Sequence, residues 1–123
     1  MSYNQAWSSM GKLKRLQIKE TLSYIHPSDS ETKLVNCLKM HSNISDEHMD
    51  KVYEICKWLK KHGKDFLTEA RFKTGGRADI IVLEDCVAIE VLVTETVDSF
   101  LKNKSKYPIK TIAVPYNTEW RGI

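Results

Sequence analysis

The sequence has no long apolar run. The two longest stretches dominated by apolar side chains, residues 78–83 and 86–93, are separated by Glu84 and Asp85. A transmembrane helix needs about 20 apolar residues in succession, so no membrane span is predicted. Met1 to Trp7 are polar and lack the apolar segment of a secretory signal. We therefore expect an intracellular protein: cytoplasmic, associated with the nucleoid, or nuclear in a eukaryote.

Cysteine is scarce, and several cofactor motifs are absent. Cys37, Cys56 and Cys86 form no CxxC pair and lie in apolar periodic segments, so reduced thiols are expected. The four histidines show no zinc-ligand spacing with them. The sequence contains no P-loop and no GxGxxG motif, which removes most support for nucleotide-binding enzyme classes.

The bulk composition is that of an ordinary globular protein. Of the 123 residues, 41% are hydrophobic and 28% are charged, and the formal net charge is only +3. This length predicts one domain over residues 1–123, with N-terminal helices in 1–44, a core in 45–114 and a tail in 115–123. The small positive charge permits a nucleic-acid partner but does not argue strongly for one.

Two helices are predicted in the N-terminal third. A loose helical stripe over Ser9–Ile25 ends at His26-Pro27 and contains Leu13, Leu16, Tyr24 and Ile25. Ser28 and Glu31 then match a capping box, with the serine as N-cap, which predicts a second helix of about three turns. Its inward residues would be Leu34, Val35 and Leu38.

A third helix should begin after Ser45. The acidic pair Asp46-Glu47 occupies its first turn, and Gly63 is a natural C-terminal stop. The apolar positions recur at helical spacing and should be buried: Met49, Val52, Cys56 and Leu59. The opposite positions are charged and should meet water: Asp50, Glu54, Lys57 and Lys61.

After Gly63 the pattern changes to that of strands. Three strands are predicted, Phe66–Phe72, Ala78–Leu83 and Cys86–Val93, joined by short turns into an antiparallel meander. A helix over Thr96–Lys106 and a last strand over Lys110–Val114 should follow. The fold class is therefore α/β (α+β), with helices covering the two apolar central strands.

Two carboxylates fall inside these apolar strands. If Glu84 and Asp85 form the turn, Asp79 lies directly opposite Glu90, with the Cβ atoms about 5 Å apart. The neighbours on that face would be Ile81, Leu83, Ala88 and Leu92. Two like charges at ~5 Å repel by roughly 3 kcal/mol at an effective dielectric of 20. Bound Mg²⁺ or Mn²⁺ would offset this repulsion. The alternative is a structural carboxylate paired with Arg71 or Arg77.

These residues resemble a known superfamily. The segment Gly75-Gly76-Arg77-Ala78-Asp79, a short gap and then Ile89-Glu90-Val91 is similar to the motif of PD-(D/E)xK nucleases, which include Holliday-junction resolvases and many restriction endonucleases. The resemblance covers roughly residues 48–114. It implies a restriction-endonuclease-like core of helix, three-strand meander, helix and strand, with extra N-terminal helices. It also implies that Asp79 and Glu90 are catalytic metal ligands.

The family often has a further acid upstream, for which Glu47 and Glu69 are the candidates. We favour Glu69 as a third catalytic ligand, because its strand neighbours can take the other face: Phe66, Thr68, Ala70 and Phe72. His48 borders the apolar stripe of the third helix, and it is a candidate to lean toward the metal. Packing in the core or exposure at the surface is the alternative for this histidine.

The sequence departs from the family motif at one position. Leu92 stands where the family has a lysine, two residues beyond Glu90, and that lysine would neutralise charge developing at the phosphate. Candidate replacements from elsewhere in the chain are Arg71, Arg77 and Lys106. Thr94 or Glu95 could orient the attacking water.

The sequence therefore predicts a divalent-metal-dependent endonuclease that hydrolyses phosphodiester bonds in DNA. The alternative is a catalytically silent module of the same fold that binds nucleic acid or a protein partner. RNA remains open as a substrate, and a homodimer is expected by analogy alone. Two lysine clusters are either solvated helix ends or phosphate-contacting ridges: Lys57, Lys60, Lys61 and Lys64, and Lys102, Lys104, Lys106 and Lys110.

Overall fold

The chain has a mixed α/β fold. The computed structural model describes Trp7, residues 10–104 and residues 107–123. Within those ranges the helices are α1 (Lys12–Ser23), α2 (Asp46–Lys61) and α3 (Val97–Lys104), and the strands are β1 (Phe66–Arg71), β2 (Arg77–Val82), β3 (Val87–Leu92) and β4 (Lys110–Pro115). None of the helices in these ranges is both long and apolar enough to cross a membrane.

The helix α2 has the ends that the sequence predicts. The Ser45 side chain caps it by accepting the His48 N–H at 3.2 Å. At the other end Gly63 has a φ of 67°, and the N–H of Lys64 donates to the carbonyl of Leu59 at 2.9 Å. This left-handed glycine closes the helix, because it lets the chain turn back without a Cβ clash.

The four strands form one sheet in the order β1-β2-β3-β4. The pairs β1/β2 and β2/β3 are antiparallel, so the predicted three-strand meander is confirmed. The strand β4 is parallel to β3, and the connection between them runs through α3. A parallel pair needs such a crossover, which a tight hairpin turn cannot supply.

Two apolar clusters lie on the two faces of this sheet. The cluster on the α2 face contains the buried positions of that helix and one set of strand residues: Val52, Ile55, Cys56, Leu59, Phe66, Ile80, Val82, Val87, Ile89, Val91 and Val114. The cluster on the α1 face contains Ile18, Ile25, Val35, Leu67, Ala70, Phe72, Ala78, Ile81, Leu83, Ala88 and Ile109. Burial on both faces explains why β2 and β3 are almost continuously apolar.

The predicted second helix is wrong. Two 3₁₀ turns, Pro27–Asp29 and Thr32–Leu34, take its place, and the N-cap of the first is His26 rather than Ser28. Asn36 has a φ of 63°, and its N–H donates to the carbonyl of Phe66 at 2.8 Å. This segment lies against β1, and its bonds to that strand replace the intrahelical bonds that a helix would make.

The stripe predicted for the first helix is only partly correct: Ile25 is fully buried, but α1 ends at Ser23 and the two leucines of the stripe are exposed. Leu13 and Leu16 are 69% and 54% exposed, whereas Ile18 and Thr21 are fully buried. The Thr21 hydroxyl donates to the carbonyl of Leu83 at 2.6 Å. That bond and the packing of Ile18 orient α1, so the leucines lie on its outer side.

Candidate acidic active site

The two predicted carboxylates lie side by side where β2 and β3 separate. The ladder pairs Val82 with Val87 and ends at Ile80 with Ile89, which is the predicted register. The turn spans the four residues 83–86 rather than only the predicted two. One step beyond the ladder, each carboxylate bonds to the other strand: Glu90 Oε1 accepts the Asp79 N–H at 3.1 Å, and Asp79 Oδ2 accepts the Val91 N–H at 2.8 Å.

The strand alternation breaks at the acidic residues. Ile80 belongs to the cluster on the α2 face, but Ala78, two residues away, belongs to the cluster on the α1 face. The partner strand β1 changes face in the same row, where Glu69 has a φ of 50°. A regular strand would keep residues two apart on one face. The break therefore lies in the row that contains Glu69 and Asp79.

This break corrects two expectations about faces. Ile81 was expected to share a face with Asp79, yet Ile81 packs in the cluster on the α1 face while Asp79 contacts His48 of α2. Phe66 and Ala70 were expected on one face, but they lie in opposite clusters. The sequence pattern could not show this, because the predictions assumed regular alternation along each strand.

Asp79 is paired with a histidine. Its Oδ2 lies 3.2 Å from His48 Nε2, and the side chains of aspartate and histidine are 14% and 15% exposed. The hydrogen bond to Asp79 raises the pKa of His48 above its ordinary value, although burial acts against the increase. The other ring nitrogen, Nδ1, is buried and has no hydrogen-bond partner within the described ranges.

Glu69 is held between two basic side chains. Arg77 Nε lies 3.2 Å from Glu69 Oε2, and His41 Nε2 lies 3.5 Å from Glu69 Oε1. The glutamate side chain is only 12% exposed, whereas that of Arg77 is 56% exposed. Arg77 therefore reaches the acidic residues from the solvent side.

Glu90 is buried and has a tyrosine beside it. Its relative exposure is 6%. The Tyr107 hydroxyl lies 3.3 Å from Glu90 Oε1 and 2.9 Å from the carbonyl oxygen of Arg77, so it can donate its proton to either oxygen. Burial raises the pKa of Tyr107, and the charge of Glu90 raises it further. Tyr107 therefore stays a neutral donor.

A glycine makes room for this tyrosine. A Cβ added to Gly76 would lie 2.8 Å from Tyr107 Cε1, and the glycine has a φ of 83°. Both the close approach of the ring and the backbone conformation favour glycine here. Gly76 thus permits the packing of Tyr107 above the start of β2.

The acids open onto a cleft of about 500 Å³. Its lining joins the loop before α2, the row of acids and the end of β3: His41, Asn43, Ile44, Ser45, His48, Glu69, Arg77, Asp79, Glu90, Val91, Leu92, Val93, Thr94 and Glu95. The cleft brings together most of the predicted site residues. Glu95 also accepts a hydrogen bond from the Ser99 hydroxyl at 3.4 Å.

Three candidates are not part of this lining. Arg71 pairs with Asp29, with 2.9 Å between Nε and Oδ2, and this arginine lowers the pKa of the aspartate. Glu47 lies exposed in the first turn of α2. Lys106 lies outside the described residues.

The donor chemistry of the cleft fits a hard divalent ion. Asp79, Glu90 and Glu69 supply carboxylate oxygens, which Mg²⁺ and Mn²⁺ prefer. Among residues 10–104 and 107–123, no group of three His, Cys, Asp or Glu side chains is arranged to hold a metal ion. Asp79 and Glu69 are paired with basic side chains instead, so a bound ion would take the place of those partners.

Comparison with protein-family models, curated proteins and solved structures finds no match to this chain. The resemblance to PD-(D/E)xK nucleases therefore depends on the motif residues and the order of elements alone.

Sequence reasoning did not assign two of the neighbours to the site. His41 shows no ligand spacing in the sequence, and Tyr107 belongs to none of the motifs described above. Their partners Glu69 and Glu90 are far away in the sequence, so no local signal marks either contact.

Proposed function

We propose that this chain is a metal-dependent endonuclease that hydrolyses phosphodiester bonds in DNA. The observation that carries the proposal is the row of three poorly exposed carboxylates, Glu69, Asp79 and Glu90, lining one cleft. A fold rarely gathers buried acids without a cation, because both desolvation and repulsion oppose the arrangement. The restriction-endonuclease-like core is part of the same proposal.

The three carboxylates would hold Mg²⁺ or Mn²⁺. When bound, such an ion supplies Lewis-acid activation of water and neutralises charge at the phosphate. The chain positions Asp79 and Glu90 through the backbone N–H groups of the opposite strand. The sheet therefore holds these two carboxylates at the cleft, and a strand is a more rigid support than a loop.

Two basic groups can act on the phosphate. The half-exposed Arg77 guanidinium lies beside Glu69, and His48 lies beside Asp79. A guanidinium directed at developing negative charge stabilises a phosphoryl-transfer transition state. Arg77 therefore takes the charge-neutralising role that the family gives to a lysine. In our proposal Thr94 and Glu95, on the rim of the cleft, orient water.

The second candidate function is a silent module that binds DNA, RNA or a protein without cutting. Leu92 favours it, because this residue is only 4% exposed and lines the cleft where the family has its lysine. The same acids could then be held by His48, His41 and Arg77 as a structural cluster. A homodimer and a cytoplasmic, nucleoid-associated or nuclear location remain proposals under either function.

Plasmid nicking tests the enzyme. Wild type should convert supercoiled DNA to nicked or linear forms with Mg²⁺ or Mn²⁺, but not with EDTA. Asp79→Asn, Glu90→Gln and Glu69→Gln should each lose activity by on the order of a hundredfold or more, since charge stabilisation at the phosphate is lost. The exposed acids Asp50→Asn and Glu20→Gln are matched controls and should cut normally.

Leu92→Lys separates the two candidates. If wild type cuts and Leu92→Lys cuts no faster, Arg77 or another cation already fills the role. If wild type binds DNA without cutting across several metals, while Leu92→Lys cuts, the silent module replaces the enzyme. Activity that is equal in wild type and all three acid variants would contradict both the ligand assignment and the nuclease.

A further inference from the structure

A second concave surface lies at the far end of α2 from the acidic cleft. It encloses about 720 Å³ and is lined by Asn36, Leu38, Tyr53, Cys56, Lys57, Lys60, Lys61, Gly63, Lys64, Asp65 and Phe66. We call it the lysine groove. Lys60 lies twelve residues beyond His48 in α2, a rise of about 18 Å along the helix axis, and the linings of the groove and of the acidic cleft share no residue. The groove is therefore separate from the acidic cleft.

Its charge is strongly one-sided. Four lysines line the groove against a single carboxylate, that of Asp65, which accepts a hydrogen bond from the Asn36 side-chain amide at 3.0 Å. Lys64 pairs with Asp85 at 2.6 Å. Lys57, Lys60 and Lys61 are exposed, and no carboxylate of the described residues is within ion-pair distance of them. Three unneutralised ammonium groups on successive turns favour a polyanionic ligand.

The floor of the groove is apolar and partly aromatic. Tyr53 is 52% exposed and Leu38 is 41% exposed, and Phe66 and Cys56 lie in the lining. Lys57 Nζ lies 5.1 Å from the centre of the Tyr53 ring, so charge and aromatic surface are adjacent. A duplex presents mainly phosphates and sugars at its surface, whereas a single strand also offers base faces for stacking.

We propose that the lysine groove binds a single-stranded segment of nucleic acid, with phosphates on Lys57, Lys60 and Lys61 and a base against Tyr53. The observations that carry this are the unneutralised lysines above an exposed aromatic floor. The proposal does not depend on cutting by the acidic cleft. If the cleft does cut, the groove is a second contact for the strand, on residues that the cleft does not use.

Fluorescence anisotropy in EDTA tests the groove without any metal. The probes are a short labelled oligothymidine and a labelled duplex of the same length. The triple variant Lys57→Gln/Lys60→Gln/Lys61→Gln should bind the single strand at least about tenfold more weakly than wild type. The slope of log K against log salt should become shallower by about 2, since each lost phosphate contact removes about 0.7.

A matched variant controls for net charge. The variant Lys12→Gln/Lys19→Gln/Lys73→Gln removes three exposed lysines elsewhere on the surface. It should bind the single strand within about twofold of wild type, because these lysines act on the strand only through long-range, salt-screened electrostatics. If both triple variants lost the same amount of affinity for the single strand, binding would depend on the overall charge of the protein, and the proposal for the groove would be wrong. Absence of wild-type binding to the single strand would also overturn it.

The aromatic floor has its own test. Tyr53→Ala should weaken single-strand binding by about tenfold and leave duplex binding unchanged, because only an unpaired base can stack. Tighter binding of the duplex than of the single strand by wild type would overturn the proposal. So would a competition in which poly-glutamate displaces the labelled single strand as well as an unlabelled oligothymidine of the same charge does. Binding is measured in EDTA, where no metal-dependent cutting occurs. A failure of the nicking assay would therefore leave this proposal intact.

Discussion

Replacing Asp79 with asparagine should change stability in opposite directions at low and high pH. The hydrogen bond from His48 to Asp79 raises the pKa of the histidine in the folded protein. The pKa of histidine in the unfolded chain is about 6.5. A group whose pKa is higher in the folded protein contributes its full stabilisation below this unfolded-state pKa. That stability is lost as the pH rises through the folded pKa.

The magnitude follows from the contacts. The histidine and aspartate side chains are 15% and 14% exposed, so solvent screens their 3.2 Å pair only partly. Hydrogen bonds to charged groups contribute about 1.5–3 kcal/mol. Asparagine keeps an acceptor for the Val91 N–H, and we therefore expect a loss of about 1–2 kcal/mol at about pH 5.5. At about pH 9, with His48 neutral, removing one of the neighbouring carboxylate charges should raise stability by up to about 1 kcal/mol.

Urea denaturation in EDTA at both pH values measures this change of sign. Asp50→Asn removes an exposed charge on α2 and should show little effect at either pH. In a His48→Gln background the effect of Asp79→Asn should no longer depend on pH over this range. A loss of equal size at both pH values would refute the reasoning, since it would mean that the histidine charge does not act on Asp79.

Three further outcomes are expected. Gly76→Ala should lower the free energy of unfolding by about 1–3 kcal/mol in urea denaturation, because its Cβ would meet the Tyr107 ring and its φ is positive. Asp29→Asn should be less stable than wild type near neutral pH, and the difference should vanish in acid as pH falls through the lowered carboxyl pKa. A maleimide should label the exposed Cys37 in the native protein, but Cys56 only after unfolding, as detected by mass spectrometry. Burial raises the pKa of Cys56 to about 12.

The elements that the sequence predicts well are those with strong local signals. The helix α2 has an N-cap at Ser45, a helical apolar period and a stop at Gly63, and all three agree. The register of β2 against β3 is also correct, because a short turn between two apolar strands leaves little room for another pairing. Local consistency of this kind makes a prediction robust.

The second helix failed because distant contacts outweighed its capping box. The Asp29 carboxylate, inside the predicted helix, accepts bonds from both the backbone and the side chain of Arg71. Asn36 bonds to β1 through its backbone N–H, and its side-chain oxygen accepts the N–H of Phe66 at 3.0 Å. These partners are some 30 to 42 residues away in the sequence. No pattern within the segment of the predicted helix indicates that it makes these contacts.

The site was predictable in its acids but not in their partners. Asp79 and Glu90 stand out as charges within apolar strands, and strand register places them together. The pairing of Asp79 with His48 depends instead on where the first turn of α2 meets the sheet. The irregular Glu69, with its φ of 50°, likewise has no sequence signature.

Leu92 stands where the PD-(D/E)xK motif that the chain resembles has a lysine, and the positive charge near the acids lies on other elements. A lysine on β3 would bring its charge from the strand that carries Glu90, but here Leu92 is buried and its carbonyl accepts the Tyr116 N–H at 2.8 Å. The charge comes instead from Arg77 at the start of β2 and from His48 on α2. Because these groups pair with Asp79 and Glu69 from two other elements, an apolar residue can pack at position 92 while those two acids keep basic partners. The absence of a lysine is therefore compatible with either function of the cleft, and the rate of wild type against Leu92→Lys is the measurement that decides between them.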